Sequence, residues 1–257
     1  MAIGGRVGKA VAKRVPVPEN VATAIEDALD KAVSVQHSAV TKYIAKAQEK
    51  DPALTPFQLV ERLEKRYRSS VIGIGAVSGG AAAAPGLGTA AGVATSVVEI
   101  GAFAEATAVF TLARAEVQGV TVKDAPTRRA LVLAVLLGES GVKALQQEVG
   151  AAAGTSWLGA LREGVPKQSM SSINSSLLKH FLGRFAAKQS ALIVGRAAPF
   201  GIGAVIGGAG NYAVAKGAIA ASRSLFGPPP QEFPARIVEI VGHPVDTSKR
   251  VNTLKRG

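Results

Sequence analysis

Apolar residues in the first part of the chain recur every three or four positions, and charged residues stand between them. This spacing predicts one amphipathic helix over residues 18–50. Its apolar face carries Val21, Ile25, Leu29, Val33, Val40 and Ile44. Asp51 and Pro52 follow directly and are predicted to end the helix, because proline cannot donate a backbone hydrogen bond.

A capping signal marks the start of the next helix. Thr55 and Gln58 have the spacing of a capping box, in which each side chain accepts a hydrogen bond from the other residue's backbone amide. Pro56 stands between them at the first helical position, where a missing amide proton costs little. The pattern predicts a second helix that begins here and ends near Ser70.

The centre of the chain is apolar and rich in glycine and alanine. Residues 71–98 contain no charged side chain, and in their middle Pro85 and Gly86 stand where a helical hairpin would turn. From Leu87 the apolar pattern continues to Gly119, which predicts one long helix after the turn.

Three further helical regions are predicted in the second half. Asp124 and Pro126 open a helical segment that ends at Gly150. Residues 171–188 carry an amphipathic row, and residues 195–226 form one or two Gly/Ala-rich helices. The stretch between, residues 151–170, is predicted as a loop or a short helix.

The predicted fold is therefore mainly α: a multi-helix bundle with Gly/Ala-rich central helical hairpins. Alternation with a period of two is confined to residues 236–241, the one short candidate strand. We expect an N-terminal basic segment at residues 1–17, a helical domain at residues 18–226 and a proline-initiated basic C-terminal tail at residues 227–257.

A glycine pattern occurs twice, as GIGAVSGG at residues 73–80 and as GIGAVIGG at residues 201–208, with a related GLGTAAG at residues 86–92. A phosphate-binding loop would need a preceding strand, which the pattern does not predict. Glycines four residues apart share one helix face and let two backbones approach closely. The candidate packing residues are Gly75 and Gly79, Gly88 and Gly92, and Gly203 and Gly207.

A membrane hairpin is the third interpretation of this pattern. Strongly apolar residues each contribute only roughly −0.3 to −0.6 kcal/mol to the free energy of inserting a helix into a membrane. The few Val, Ile and Leu residues within residues 71–98 are opposed by glycine, proline and hydroxyl residues. A hairpin that dips into a membrane or docks on it is therefore easier to form than two full spans.

Composition excludes several kinds of chemistry. The chain has no cysteine, which removes disulfides, thiolate nucleophiles and cysteine-bound zinc. The three histidines, His37, His180 and His243, are not at metal-ligand spacing, and we assign no catalytic, cofactor-binding or metal residue. The formal net charge of +12 attracts anionic surfaces without sequence-specific nucleic-acid recognition. Without an apolar signal segment before Pro16, a cytoplasmic location is expected.

Four blocks in a fixed order resemble the EcsC protein family: APGLGTAAG, LARAEVQGV, RRALVLAVLLGESG and PFGIGAVIGGAGNYAVAKGAIAASRSLF. The resemblance covers about residues 20–226. In that family the late block runs from a proline to an asparagine, here Pro199 and Asn211. The resemblance implies a bacterial protein associated with membrane or transport functions, since the family is named for an operon shared with an ABC transporter. The family has no established activity.

An acidic residue often follows the first glycine block in such proteins, and Glu99 takes that place where aspartate is expected. A carboxylate in an apolar helix must be paired or neutralised. We expect Glu99 to pair with the late block, with Asn211 or Arg196 as its partner.

Together these features predict a non-enzymatic, EcsC-like protein that is peripheral to the cell membrane or partly embedded in it. Its expected partner is an anionic membrane surface or a membrane transporter. The alternative is a soluble enzyme or ligand-binding domain that uses the glycine-rich turns as an anion or nucleotide site.

Overall fold

The computed structural model describes residues 17–34, 37–82, 89–153, 159–161, 167–195, 202–234 and 237. Nearly all of these residues are helical and none forms a strand, which confirms the mainly α fold. In chain order the helices are α1 (Glu19–Val33), α2 (His37–Lys50), α3 (Pro56–Ala82), α4 (Thr89–Val117), α5 (Ala125–Leu136), α6 (Glu139–Ala153), α7 (Lys167–Gly195) and α8 (Ile202–Phe226). They pack side by side as a multi-helix bundle.

The centre of the bundle consists of α3, α4 and α8. Gly75 of α3 lies against Asn211 of α8, and earlier in α3 Glu64 binds Arg223 near the end of α8. Residue numbers therefore fall along α3 as they rise along α8, so the two helices are antiparallel. Tyr67 of α3 packs against Phe103 and Phe110 of α4. Glu99, earlier in α4, lies near the later part of α3, so α4 is also antiparallel to α3.

The remaining helices cover this centre. The α1 helix lies along α4 in the same direction, because Ala28 approaches Gly101 and Val33 shares a buried cluster with Ala108. The α5 helix packs against α4, α6, α7 and α8. It is the most enclosed helix, with residues 130–135 fully buried.

Two predicted helix starts are confirmed by their hydrogen bonds. The Thr55 amide donates to Gln58 Oε1 over 3.0 Å, and the Gln58 amide donates to Thr55 Oγ1 over 3.2 Å. These reciprocal bonds form the capping box at α3. At α5 the Asp124 carboxylate accepts a hydrogen bond of 2.8 Å from the Thr127 amide.

The prediction of a single helix over residues 18–50 is wrong, because α1 ends at Val33 and α2 begins at His37. At the end of α1 the Ser34 hydroxyl donates to the Lys31 carbonyl over 2.6 Å. That bond satisfies a terminal carbonyl that would otherwise need the next helical turn. The apolar spacing continues across the break, so periodicity alone does not reveal it.

Other boundaries also differ from the prediction: α6 continues to Ala153, and α7 extends beyond the predicted 171–188 at both ends. The α3 helix does not end near Ser70 but continues to Ala82, because nothing in residues 71–82 removes a backbone amide. The segment from Asp124 to Gly150 is two helices, since Gly138 has φ +71° and ends α5. Only glycine adopts this left-handed conformation without strain. The predicted turn at Pro85 lies outside the described residues.

The first part of the C-terminal tail lies against the end of α4. Arg114 Nη2 donates to the Gly227 carbonyl over 2.9 Å, and Gln118 Nε2 donates to the Pro228 carbonyl over 2.8 Å. Phe233 packs against the core and Ile237 is buried. Of the candidate strand at residues 236–241, only Ile237 is described, and the division into domains stays a prediction.

We predict that Asp124→Ala lowers the free energy of unfolding by about 1 kcal/mol, because it removes the side-chain cap of α5. Urea unfolding followed by circular dichroism measures this change. Asp124→Asn keeps an acceptor oxygen and is the matched control, with a loss of only a few tenths of a kcal/mol. Equal midpoints for the alanine variant and the unaltered protein would contradict a stabilising role for the cap.

Candidate functional site

Gly75, Glu99 and Asn211, three residues singled out from the sequence, meet where α3, α4 and α8 converge. The Asn211 side-chain amide donates to the Val71 carbonyl over 3.1 Å and approaches Glu99 Oε1 at 3.4 Å. Gly75 faces the same amide, and a Cβ added to it would lie 2.9 Å from Asn211 Cβ and closer still to the amide group. The missing side chain of Gly75 therefore makes room for Asn211.

This geometry brings Glu99 to Asn211, one of the two partners expected from the sequence. Arg196, the other expected partner, lies outside the described residues. Asn211 is buried and Glu99 half-buried, so their amide and carboxylate satisfy each other in a largely apolar surrounding.

The other glycine candidates are only partly located. Gly79 lies in α3, Gly92 in α4, and Gly203 and Gly207 in α8, and their surroundings fall outside the described part of the chain. Gly88 falls outside it entirely. Close packing at these five positions stays a prediction.

Further along the same three helices lies a row of polar groups that the sequence did not predict, all buried except Arg223. We call Glu64, Tyr67, Thr107, Arg114 and Arg223 the polar seam. The Tyr67 and Thr107 hydroxyls are 3.0 Å apart. Arg223 holds both oxygens of buried Glu64, with Nε at 2.8 Å and Nη2 at 2.5 Å.

Arg114 is the most enclosed charged side chain of the seam, with 1% of its surface exposed. Its Nη2 donates to the Gly227 carbonyl, and the guanidinium lies 5.9 Å from the centre of the Phe226 ring. Burial lowers the pKa of Arg114 to about 10, an effect that the negative charge of Glu64 opposes. Burial also raises the pKa of Tyr67.

A signal for this seam exists in the sequence. Thr107, Thr111 and Arg114 lie at i, i+4 and i+7 in an otherwise apolar helix and therefore share one face. Such a polar stripe inside an apolar helix predicts internal hydrogen bonds. The groups that this stripe meets, the Tyr67 hydroxyl for Thr107 and the Gly227 carbonyl for Arg114, are too distant in the sequence to be assigned from this spacing.

The uncharged parts of the three central helices lie at the same end of the bundle. Residues 71–82 of α3, 89–98 of α4 and 202–215 of α8 contain no charged residue. Because α4 and α8 are antiparallel to α3, the last part of α3 lies at the same end as the first parts of α4 and α8. We call this the charge-free end.

Several large apolar side chains are exposed near the charge-free end. We call Val77 of α3, Val98 of α4, and Tyr212 and Val214 of α8 the apolar rim. Val77 and Val98 are 75% and 72% exposed, and Tyr212 and Val214 are 47% and 37% exposed. Each lies within a few residues of the contact between Gly75, Glu99 and Asn211, so the rim surrounds that contact.

The first glycine pattern is not a phosphate-binding loop. Residues 73–80 lie well inside α3, where the backbone amides already donate to carbonyls of the preceding turn. They are therefore not free to bind an anion. Among the described residues, no three His, Asp or Glu side chains are grouped to bind a metal ion.

Within the described part of the chain, no helix combines the length and the apolarity that crossing a bilayer requires. Comparison of the chain with protein-family models, curated proteins and solved structures finds no match. The resemblance to the EcsC family therefore stays a prediction from the sequence blocks that carry it.

We predict that Gly75→Ala destabilises the protein by about 1–3 kcal/mol, because the new methyl group overlaps Asn211 and forces α3 and α8 apart. Gly73→Ala is the matched control. Gly73 is exposed with nothing within 4 Å of an added Cβ, so alanine there raises stability by about 0.5–1 kcal/mol. Thermal and urea unfolding compare the two variants, and equal effects would contradict close packing at Gly75.

We predict that Glu99→Ala lowers the free energy of unfolding by about 0.5–1.5 kcal/mol, because Asn211 loses a hydrogen-bond acceptor. Glu105→Ala, an exposed carboxylate on the same helix, is the control and changes stability by less than about 0.5 kcal/mol. A double-mutant cycle of Glu99→Ala with Asn211→Ala measures the coupling. Strictly additive effects would show that the two side chains do not interact.

Proposed function

We propose that this protein is a non-enzymatic, EcsC-like protein of the bacterial cytoplasm that binds peripherally to the cell membrane through the charge-free end of its bundle. The observation that carries the proposal is the convergence of the uncharged parts of α3, α4 and α8 at one end, surrounded by the exposed apolar rim. Exposed apolar groups next to uncharged helix ends favour contact with hydrocarbon over contact with water.

The length of the charge-free end suits one leaflet of a bilayer. At 1.5 Å per residue, α3 continues about 10 Å beyond Gly75, and α4 and α8 continue about 15 Å beyond Glu99 and Asn211. Half of a hydrocarbon core of about 30 Å is about 15 Å. The described part of the charge-free end is therefore long enough to enter one leaflet.

Most of the apolar rim lies on α3 and α8, so this side of the bundle faces lipid most closely. The α1 helix packs on α4 and α5, and it carries exposed Glu19 and Asp27. These carboxylates disfavour insertion on the α1 side. Val77, Tyr212 and Val214 belong to α3 and α8, and a tyrosine at this position suits the boundary between hydrocarbon and headgroups.

The energy of this contact fits reversible binding. Burying the four partly exposed side chains of the rim contributes about 1 kcal/mol each, or about 4 kcal/mol in total. Taken alone, that free energy corresponds to a dissociation constant of about 1 mM. Electrostatic attraction by a chain of net charge +12 adds to it on an anionic surface. The proposal that a membrane transporter is a partner of this protein rests on the resemblance to the EcsC family alone.

We predict that the purified protein floats with vesicles of phosphatidylcholine and phosphatidylglycerol in a density gradient. Val77→Gln and Val214→Gln each weaken binding about fivefold, because each removes about 1 kcal/mol of apolar burial. Phe57→Gln is the matched control, since Phe57 is 58% exposed at the opposite end of α3. Circular dichroism verifies that the variants stay folded.

Two outcomes would contradict the proposal. A protein that stays in the lipid-free fractions with every vesicle composition does not bind membranes by this end. Equal losses for Phe57→Gln and Val77→Gln would show that general surface apolarity, and not the charge-free end, controls flotation. A rise in melting temperature with a nucleotide, in a protein that does not float, would favour the alternative of an anion site.

A further inference from the structure

We propose that a basic face on α2, α3 and α8 binds the headgroups of anionic phospholipids and fixes how deeply the charge-free end inserts. We call Lys42, Lys65, Arg66, Arg68 and Lys216 the basic collar. This inference rests on the proposed membrane association and adds to it a lipid class and the residues that select that class.

The collar begins where the charge-free end stops. Arg68 precedes Gly75 by seven residues and Lys216 follows Asn211 by five, and Gly75 contacts Asn211. At 1.5 Å per residue, Arg68 lies about 10 Å and Lys216 about 8 Å from that contact along the bundle. The first charged residues of α3 and α8 thus occupy nearly the same depth, and both are basic.

A neighbouring helix extends the collar sideways. The Arg66 guanidinium lies over the Tyr43 ring of α2, 5.1 Å from its centre. The α2 helix packs on α4, and this contact brings Lys42, the residue before Tyr43, to the depth of Arg66. The stacked guanidinium also keeps a fixed orientation with its N–H groups at the edge, which suits phosphate oxygens.

The collar's charges are available to a ligand. Within the described residues, no carboxylate lies within ion-pair distance of Lys42, Lys65, Arg66, Arg68 or Lys216, whereas Arg62 is paired with Asp51 at 2.6 Å and Arg223 with Glu64. Lys42, Lys65, Arg66 and Lys216 are exposed. Cations without a carboxylate partner among the described residues, in a band about 7 Å deep directly below an apolar surface, match a layer of phosphate groups next to hydrocarbon.

The thickness of the headgroup layer agrees with this arrangement. Headgroups occupy about 5–7 Å on each side of the hydrocarbon core. The rim residue Val214 lies about 5 Å from the Gly75 contact, and the collar extends from about 8 Å to about 15 Å at Lys65. The long side chains of lysine and arginine cover the remaining distance by extending toward the phosphates.

The experiment compares binding to vesicles of pure phosphatidylcholine with binding to vesicles that also contain phosphatidylglycerol, at low and at high salt. We expect tighter, salt-sensitive binding to the anionic vesicles. The triple variant Lys65→Gln, Arg66→Gln, Arg68→Gln binds anionic vesicles more weakly, with a loss in affinity of about fivefold for each residue replaced. Its binding to pure phosphatidylcholine stays unchanged, because the apolar rim is intact.

The matched control is Lys50→Gln, Lys123→Gln, Lys179→Gln, which removes the same net charge from exposed positions elsewhere. It keeps most of the anionic preference, and Lys65→Arg, Arg68→Lys keeps it as well, because both positions retain their charge. Equal losses for the collar variant and this control would overturn the inference, because net charge alone would then explain the preference. Urea unfolding verifies that each variant is folded.

The remaining outcomes separate the two proposals. Equal binding of the unaltered protein to both vesicle types would overturn the proposal that the basic collar selects anionic lipid. The proposed membrane association would be unaffected by that result. Protein that binds neither type would defeat membrane association itself. If the collar variant lost affinity for a short DNA duplex but not for anionic vesicles, the collar would be a nucleic-acid surface and the inference would be wrong.

Discussion

The close approach of α3 and α8 at Gly75 and Asn211 is the constraint on which the rest of the structure depends. The asparagine amide occupies the space that a Cβ of residue 75 would need, and from there it bonds the Val71 carbonyl and Glu99 of α4. One side chain thus sets the relative height of all three central helices. A shift of one turn along α8 would leave a buried amide without partners, which costs about 1–3 kcal/mol.

The polar seam adds specificity to this arrangement. Helix surfaces made of alanine, valine and leucine pack in many registers with similar energy. Glu64 reaches Arg223, and Tyr67 reaches Thr107, in only one register of the helices that carry them. Glu64 is buried but its partner Arg223 is largely exposed, and an ion pair open to water contributes little net stability, so we assign the seam to alignment of the helices. The same alignment keeps the apolar rim at one depth.

Local features of the fold could be predicted from the sequence, and long-range ones mostly could not. The caps at Thr55 and Asp124 depend on residues three positions apart, so their spacing is sufficient. The breaks after Val33 and at Gly138 were missed because apolar periodicity continues through a tight turn. The Glu99 and Asn211 contact was expected because each polar residue interrupts an apolar block. Arg114 was missed because a single basic residue in a helix is typical of an exposed surface.

Arg114 also links the order of synthesis to the order of folding. Its guanidinium is enclosed in α4, yet its hydrogen-bond acceptor is the carbonyl of Gly227, more than a hundred residues later in the chain. While the ribosome is still making α8, this cation has no partner, and burying it is unfavourable. Closing the centre of the bundle before Gly227 has been made would bury this cation without its hydrogen-bond acceptor, which disfavours early closure of α3 on α4.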